Sequence, residues 1–236
     1  MSSNRFGNVT NHGSGNVTSS QGDRSRQTIT VHGADEAEEP AAAPGPARAE
    51  PASGADLTRN VFVVHGRDEQ VRAAMFGLLQ QLDLRPLEWE DLVKATGQTA
   101  PFLGEVVAAA PARAQAALVL LTPDDLVRLH PDLLAPDDPP DERYLTGQAR
   151  PNVLLELGMV LMAYPDRTLI VEIGSLRRIA DLAGRNVIRF DGSAPAVGKI
   201  VTRLKAAGCA VNDNGSGWRD LSPFARLAAY RRDRDT

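Results

Sequence analysis

Hydrophobic positions change their spacing abruptly near residue 60. Asn60-Val-Phe-Val-Val64 is a short apolar run of strand length, and over 68–82 the residues Val71, Met75, Leu78, Leu79 and Leu82 fall at the spacing of one helix face. The alternation continues down the chain. It predicts a second strand over 84–89, a helix opened by Thr99-Ala-Pro-Phe102 with proline in its first turn, and a third strand, Ala116-Ala-Leu-Val-Leu-Leu121, apolar throughout and therefore central. A helix over 153–163 with Asn152 as its N-cap follows. Then come a strand at Thr168–Ile173, a fifth strand over 186–190, and a last helix with Val197, Ile200, Val201 and Leu204 on one face. Five strands alternating with helices predict an α/β fold with a parallel, doubly wound sheet. The common five-strand order 2-1-3-4-5 puts the topological switch between strands one and three, with ligands outside their carboxyl ends.

That topology gathers His65-Gly-Arg-Asp68 and Thr122-Pro-Asp-Asp125 into one crevice. Gly66 admits close approach of a ligand, and Arg67 carries a guanidinium fork that suits a phosphate. Thr122 and Asp124 face them. Asp68 fits a helix cap as well as a site carboxylate, and His65 a structural histidine as well as a binding group.

Before residue 58 the pattern is different. Residues 1–57 hold a single aromatic, Phe6, among Gly, Ser, Asn, Pro and Ala, too little apolar surface for a core. Residues 34–57 read as an acidic, Pro/Ala-rich linker. In 1–33, Gly7-Asn-Val-Thr10 recurs as Gly15-Asn-Val-Thr18, followed by Gln27-Thr-Ile-Thr-Val31. This segment fits either a largely disordered polar tail or an assembly motif that pairs strand to strand between chains. Residues 58–211 form the folded domain, and 212–236 a C-terminal extension. There Leu221, Phe224, Leu227 and Ala228 suit a short helix, and Arg226, Arg231, Arg232 and Arg234, interleaved with Asp233 and Asp235, read as a solvated end. The stretch 131–142 fits a tolerated surface loop better than a lid.

Charge and cysteine content narrow the function. With 26 Lys plus Arg against 30 Asp plus Glu, the net charge of −4 argues against nucleic acid as the main partner. The one cysteine, Cys209, excludes an intrachain disulfide framework and a thiolate metal cluster, and reads as a small buried side chain. No apolar run reaches the roughly 18 residues of a membrane span, and the N-terminus lacks the apolar core of a secretion signal, so the expected location is the cytoplasm. No metal site is expected. Neither Gly-x-Gly-x-x-Gly nor a P-loop occurs, and no Gly-x-Ser-x-Gly elbow follows a strand, which removes hydride transfer, nucleoside-triphosphate hydrolysis and serine hydrolysis.

A carboxylate is left as the carrier of chemistry. In Asn152-Val-Leu-Leu-Glu-Leu-Gly158, Glu156 stands in apolar company in the first turns of a helix. Spacing alone leaves it either a solvated glutamate helped by the helix N-terminus or a functional group.

Val61-Phe-Val-Val-His-Gly-Arg-Asp68, Leu118-Val-Leu-Leu-Thr-Pro-Asp-Asp125 and Arg150-Pro-Asn-Val-Leu-Leu-Glu-Leu-Gly158, in that order, resemble the bacterial TIR-like domains of STING-type and Pycsar antiphage effectors. Asp181-Leu-Ala-Gly184 resembles a further motif of that family. The resemblance implies a flavodoxin-like fold that cleaves the nicotinamide–ribose bond of NAD⁺, a substrate rather than a cofactor, with Glu156 catalytic. By the same resemblance His65, Gly66, Arg67, Thr122, Asp124 and Asn152 contribute to nucleotide binding. A helix N-terminus would help keep Glu156 ionised. Lys94-Ala-Thr-Gly-Gln-Thr-Ala-Pro-Phe102 takes the place of the family's BB loop, with Lys94, Gly97 and Phe102 its marked positions. Activity is then expected on self-association into homo-oligomers or filaments, downstream of an immune sensor. Two other readings compete. One is a non-catalytic TIR-like scaffold or nucleotide-binding module, which has no need of Glu156; the other is an enzyme like the nucleoside deoxyribosyltransferases, whose motifs fit less well.

Overall fold

The computed structural model describes residues 56–232. The Gly-Asn-Val-Thr repeat and almost all of the linker lie outside the described residues.

Strand β1 (Asn60–Val64) sends alternate side chains to opposite faces, and both faces are apolar: Val61 and Val63 point to one layer of core, Phe62 and Val64 to the other. The first layer is filled by α1 (Glu69–Gln81) and α6 (Ala194–Ala206). The second is filled by α2 (Trp89–Thr96), α3 (Leu103–Ala109) and α5 (Pro151–Ala163). Strand β3 (Ala116–Leu121) is buried at every residue. With β2 (Arg85–Leu87), β6 (Thr168–Ile173) and β7 (Ile188–Phe190), these strands form a parallel sheet of order β2-β1-β3-β6-β7. This is the doubly wound order expected from the sequence. It places the switch point between β1 and β3, whose register pairs Val61 with Ala116 and Val64 with Val119. Among the described residues no helix is long and apolar enough to cross a membrane.

Several boundaries differ from the sequence expectation for local reasons. Strand two stops at Leu87, and Trp89 opens α2, because Glu88 and Asp91 form a reciprocal capping box there. The next helix starts at Leu103, with Phe102 as its cap and Glu105 accepting from the Phe102 N–H, so Thr99-Ala-Pro101 belongs to the loop. Asn152 is not an N-cap. Arg150 holds that position, and Pro151, whose missing N–H costs nothing there, takes the first turn ahead of Asn152.

The segment 131–142 is more than a surface loop. It is the tip of a two-stranded antiparallel hairpin, β4 (Asp125–Val127) with β5 (Thr146–Gln148), and includes the short helix α4 (Pro140–Arg143). Arg143 donates to the carbonyls of Asp138, Ala135 and Pro136, and Glu142 pairs with Arg177 beyond β6. The Arg143 bonds close the excursion on itself, and the Glu142–Arg177 pair ties it to the segment after β6. Asp125-Leu-Val127 and Thr146-Gly-Gln148 carry too little apolar character to be read as strands from sequence.

The C-terminal extension forms three short 3-10 turns, Gly217–Arg219, Ser222–Phe224 and Ala228–Tyr230, rather than one helix. Trp218 packs against the α1/α6 core and Phe224 is buried edge-on to Phe190 at 5.0 Å. Cys209 is buried as expected, and burial pushes its thiol up to about 11. The arm then passes over the carboxyl ends of β6 and β7, where Gly174 (φ +85°) and Gly192 (φ +76°) meet the Ala229 carbonyl and Tyr230 with Phe224. Both glycines occupy left-handed backbone, and a Cβ on either would press into the arm. Gly174→Ala is therefore expected to destabilise the domain by about 1–3 kcal/mol, read from urea unfolding, with the arm displaced.

Candidate functional site

The polar residues at the carboxyl ends of β1 and β3 come together as the topology requires. Asp68 caps α1: its Oδ1 accepts from the Gln70 and Val71 N–H groups, both at 3.0 Å. Asp124 braces the two loops. Its Oδ2 accepts from the Arg67 backbone N–H at 2.7 Å and its Oδ1 from the Thr122 hydroxyl at 2.8 Å. Gly66 is required by that brace, because a Cβ there would collide with the Asp124 carboxylate. Thr122 is buried and the Asp124 side chain only 4% exposed, so these two groups are engaged in holding the loop, while the Arg67 side chain stands in solvent.

Toward β2, His65 forms a second cluster. Its Nδ1 lies 2.9 Å from the Gly66 carbonyl, a geometry that calls for a proton on Nδ1, and its Nε2 faces Glu88 Oε1 at 3.6 Å. Arg72 grips the same Glu88 oxygen through Nε at 2.5 Å and stacks over Phe76 at 4.7 Å. Glu88 and Arg72 were not among the residues expected at the site. Reading Glu88 as the interior of a strand hid its place at a strand end, and Arg72 lies on the polar stripe of α1, where nothing in the spacing marks it.

Glu156 occupies the second turn of α5, between buried Val153 and Leu157 of the face packed on the sheet. It is half-buried, and no hydrogen bond or ion pair reaches its carboxylate among the described residues. Burial alone pushes it up from 4.5 to about 7. The expectation that the helix N-terminus keeps it ionised is overturned. The dipole's effect fades within the first turn, and Glu156 lies beyond it, where desolvation has no competitor. Asn152 is exposed in the first turn of the same helix.

The marked loop positions separate. Lys94 is exposed in the last turn of α2, Gly97 ends that helix in left-handed backbone (φ +70°), and Phe102 stands 80% exposed at the cap of α3. The connection between the two helices is thus 97–102. Among the described residues no group of His, Cys, Asp and Glu has a metal-binding arrangement.

Arg232 supplies the remaining charge at the crevice. Its Nη1 lies 2.8 Å from Asp68 Oδ2 and 3.6 Å from Asp124 Oδ1, so it is not part of a solvated end. More than 160 residues separate it from its first partner, and no sequence pattern links the two.

The profile of one family, described as CAP12/Pycsar effector protein, TIR domain, matches residues 60–192. Among curated proteins none matches the chain. The matched span runs from β1 through β7 and contains His65, Gly66, Arg67, Thr122, Asp124, Asn152 and Glu156; Arg232 lies outside it.

The raised Glu156 carboxyl has a stability consequence whose sign is set by linkage. The unfolded chain ionises near 4.5 and the folded chain near 7, so the native state binds more protons in between and loses stability as pH rises through that window. Glu156→Gln removes this loss. Its melting temperature should match the native protein's below about pH 4.5 and exceed it increasingly up to about pH 7, with a constant difference above, as scanning calorimetry across pH would show.

Proposed function

Because the chain belongs to the CAP12/Pycsar effector TIR-domain family, a membership carried by more than half its length, we propose that it is an NAD⁺ glycohydrolase acting in antiphage defence, with Glu156 as its catalytic carboxylate. The observation that carries this reading is Glu156 itself. A half-buried carboxylate without a partner among the described residues, held on a helix against the sheet, costs stability and contributes nothing to packing.

The chemistry asks little else of the protein. As the bond between nicotinamide and ribose lengthens, its electron pair leaves with the ring nitrogen, and the pyridinium becomes neutral nicotinamide. Positive charge grows on the ribose at the anomeric carbon. An ionised Glu156 against the sugar hydroxyls orients the ribose and stabilises that charge, and water then completes the new bond to the anomeric carbon, releasing a proton. The leaving group departs neutral, so no general acid is needed. The β1–α1 loop, with the Arg67 side chain in solvent, supports binding of the pyrophosphate.

Self-association is part of the same proposal. Helix α5 is apolar on nearly every side: beyond its buried face, Leu155 is 57% and Met162 85% exposed. Phe102, at the start of α3, which packs on α5 through Gly104 and Met159, adds a third exposed apolar side chain. Such a surface supports packing against another copy, and a head-to-tail contact would extend into filaments.

Concentrated protein incubated with NAD⁺ is expected to release nicotinamide, and Glu156→Gln to abolish release without unfolding the domain. The rate should climb as pH passes through about 7, following ionisation of Glu156. Absence of release from filaments verified by light scattering would favour the scaffold reading instead. Met162→Glu should weaken self-association and lower release in parallel, measured by scattering and by nicotinamide assay on the same samples.

A further inference from the structure

Asp68 and Asp124 place two carboxylates at the switch point with side chains 2% and 4% exposed. Three of their four oxygens accept aligned hydrogen bonds, Asp68 Oδ1 from the first turn of α1 and the Asp124 oxygens from the Arg67 N–H and the Thr122 hydroxyl. Asp68 Oδ2 has no aligned donor, and the charge that faces it at 2.8 Å, Arg232 Nη1, arrives on the C-terminal arm. The same nitrogen stands 3.6 Å from Asp124 Oδ1. One guanidinium therefore offsets two buried negative charges that belong to different loops.

The arm that delivers it is built to reach this spot. The Ala228 N–H donates to Gln70 Oε1 in the first turn of α1 at 3.1 Å, Phe224 seats on Phe190, and the Ala229 carbonyl lies over Gly174. These contacts carry the chain across the carboxyl ends of β7 and β6 to those of β3 and β1. Without Arg232 these two buried carboxylates would lose the one guanidinium that faces both, a costly arrangement. Asp124 is the group that holds the Arg67 backbone and covers Gly66.

We propose that the C-terminal arm is a latch, and that Arg232 is a positioning residue for the His65-Gly66-Arg67 loop, acting through Asp124 and Asp68. With the arm docked, the loop is held in one conformation. With the arm released, as when an anionic group competes for the 35% exposed guanidinium, the brace opens and the loop loosens. This goes beyond the family-matched span, which ends before the arm begins, and its test needs no assumption about NAD⁺ cleavage.

Backbone amide hydrogen exchange on the full chain tests it. Arg232→Gln should accelerate exchange at Arg67 and across 224–230 at least tenfold, while the Val119 and Leu120 amides in β3 stay as protected as in the native protein. Arg232→Lys, which keeps a positive charge, should restore protection at Arg67 to within about threefold, a rescue that loss of mere packing would not give. In Asp68→Asn, which retains the cap but removes one of the two charges, adding Arg232→Gln should accelerate Arg67 exchange by a smaller factor than in the native background. Exchange at Arg67 unchanged within twofold in Arg232→Gln overturns the latch, as does a uniform acceleration that includes β3.

Discussion

The carboxyl edge of this molecule depends on β3 being buried on both faces. Six consecutive apolar residues with no polar face can be accommodated only between two helical layers, and that burial is what makes the sheet parallel and doubly wound. With β3 central, β1 is its neighbour on one side and β6 on the other, and the chain must reverse its winding between β1 and β3. The two loops that leave those strands then diverge to opposite faces of the sheet. His65, Arg67, Asp68, Thr122 and Asp124 are gathered there because of that divergence.

The loops do not stay apart by default; they are tied. Asp124 reaches from one loop to a backbone N–H of the other, and Gly66 leaves room for it. A carboxylate doing this in the interior needs compensation, and the compensation comes from the far end of the chain. The TIR domain proper is thus closed by a segment outside the family-matched span, which fits along α1 and over Gly174 and Gly192. Local backbone geometry and long-range charge are coupled here: the left-handed glycines clear the path that lets the arginine arrive.

Glu156 shows the opposite economy. It has no partner among the described residues, and its surroundings raise it toward neutrality. Packing would be better served by an apolar side chain at that position, as the buried neighbours Val153 and Leu157 illustrate. A destabilising carboxylate on a helix packed against the sheet is the feature that supports the proposed charge-stabilising role of Glu156.

The sequence by itself determined the sheet. Apolar runs at Asn60–Val64, Ala116–Leu121 and Thr168–Ile173 match the observed strands residue for residue, because a strand buried on both faces leaves no doubt about its period or its ends. It also determined the loop cluster at the switch point and marked Glu156 by its apolar company, since both follow from local pattern and topology. Short elements escaped it: the β4/β5 hairpin and the capping box at Glu88 rest on few residues and on partners that only the fold supplies. Only the tertiary structure decided the charge balance. Whether Asp124 is a binding group or a brace, whether Glu156 is ionised, and whether Arg232 is solvated or latched all depend on which groups lie within a few ångströms. Electrostatic energy is set by distance and burial in space, and neither is written in the spacing of residues along the chain.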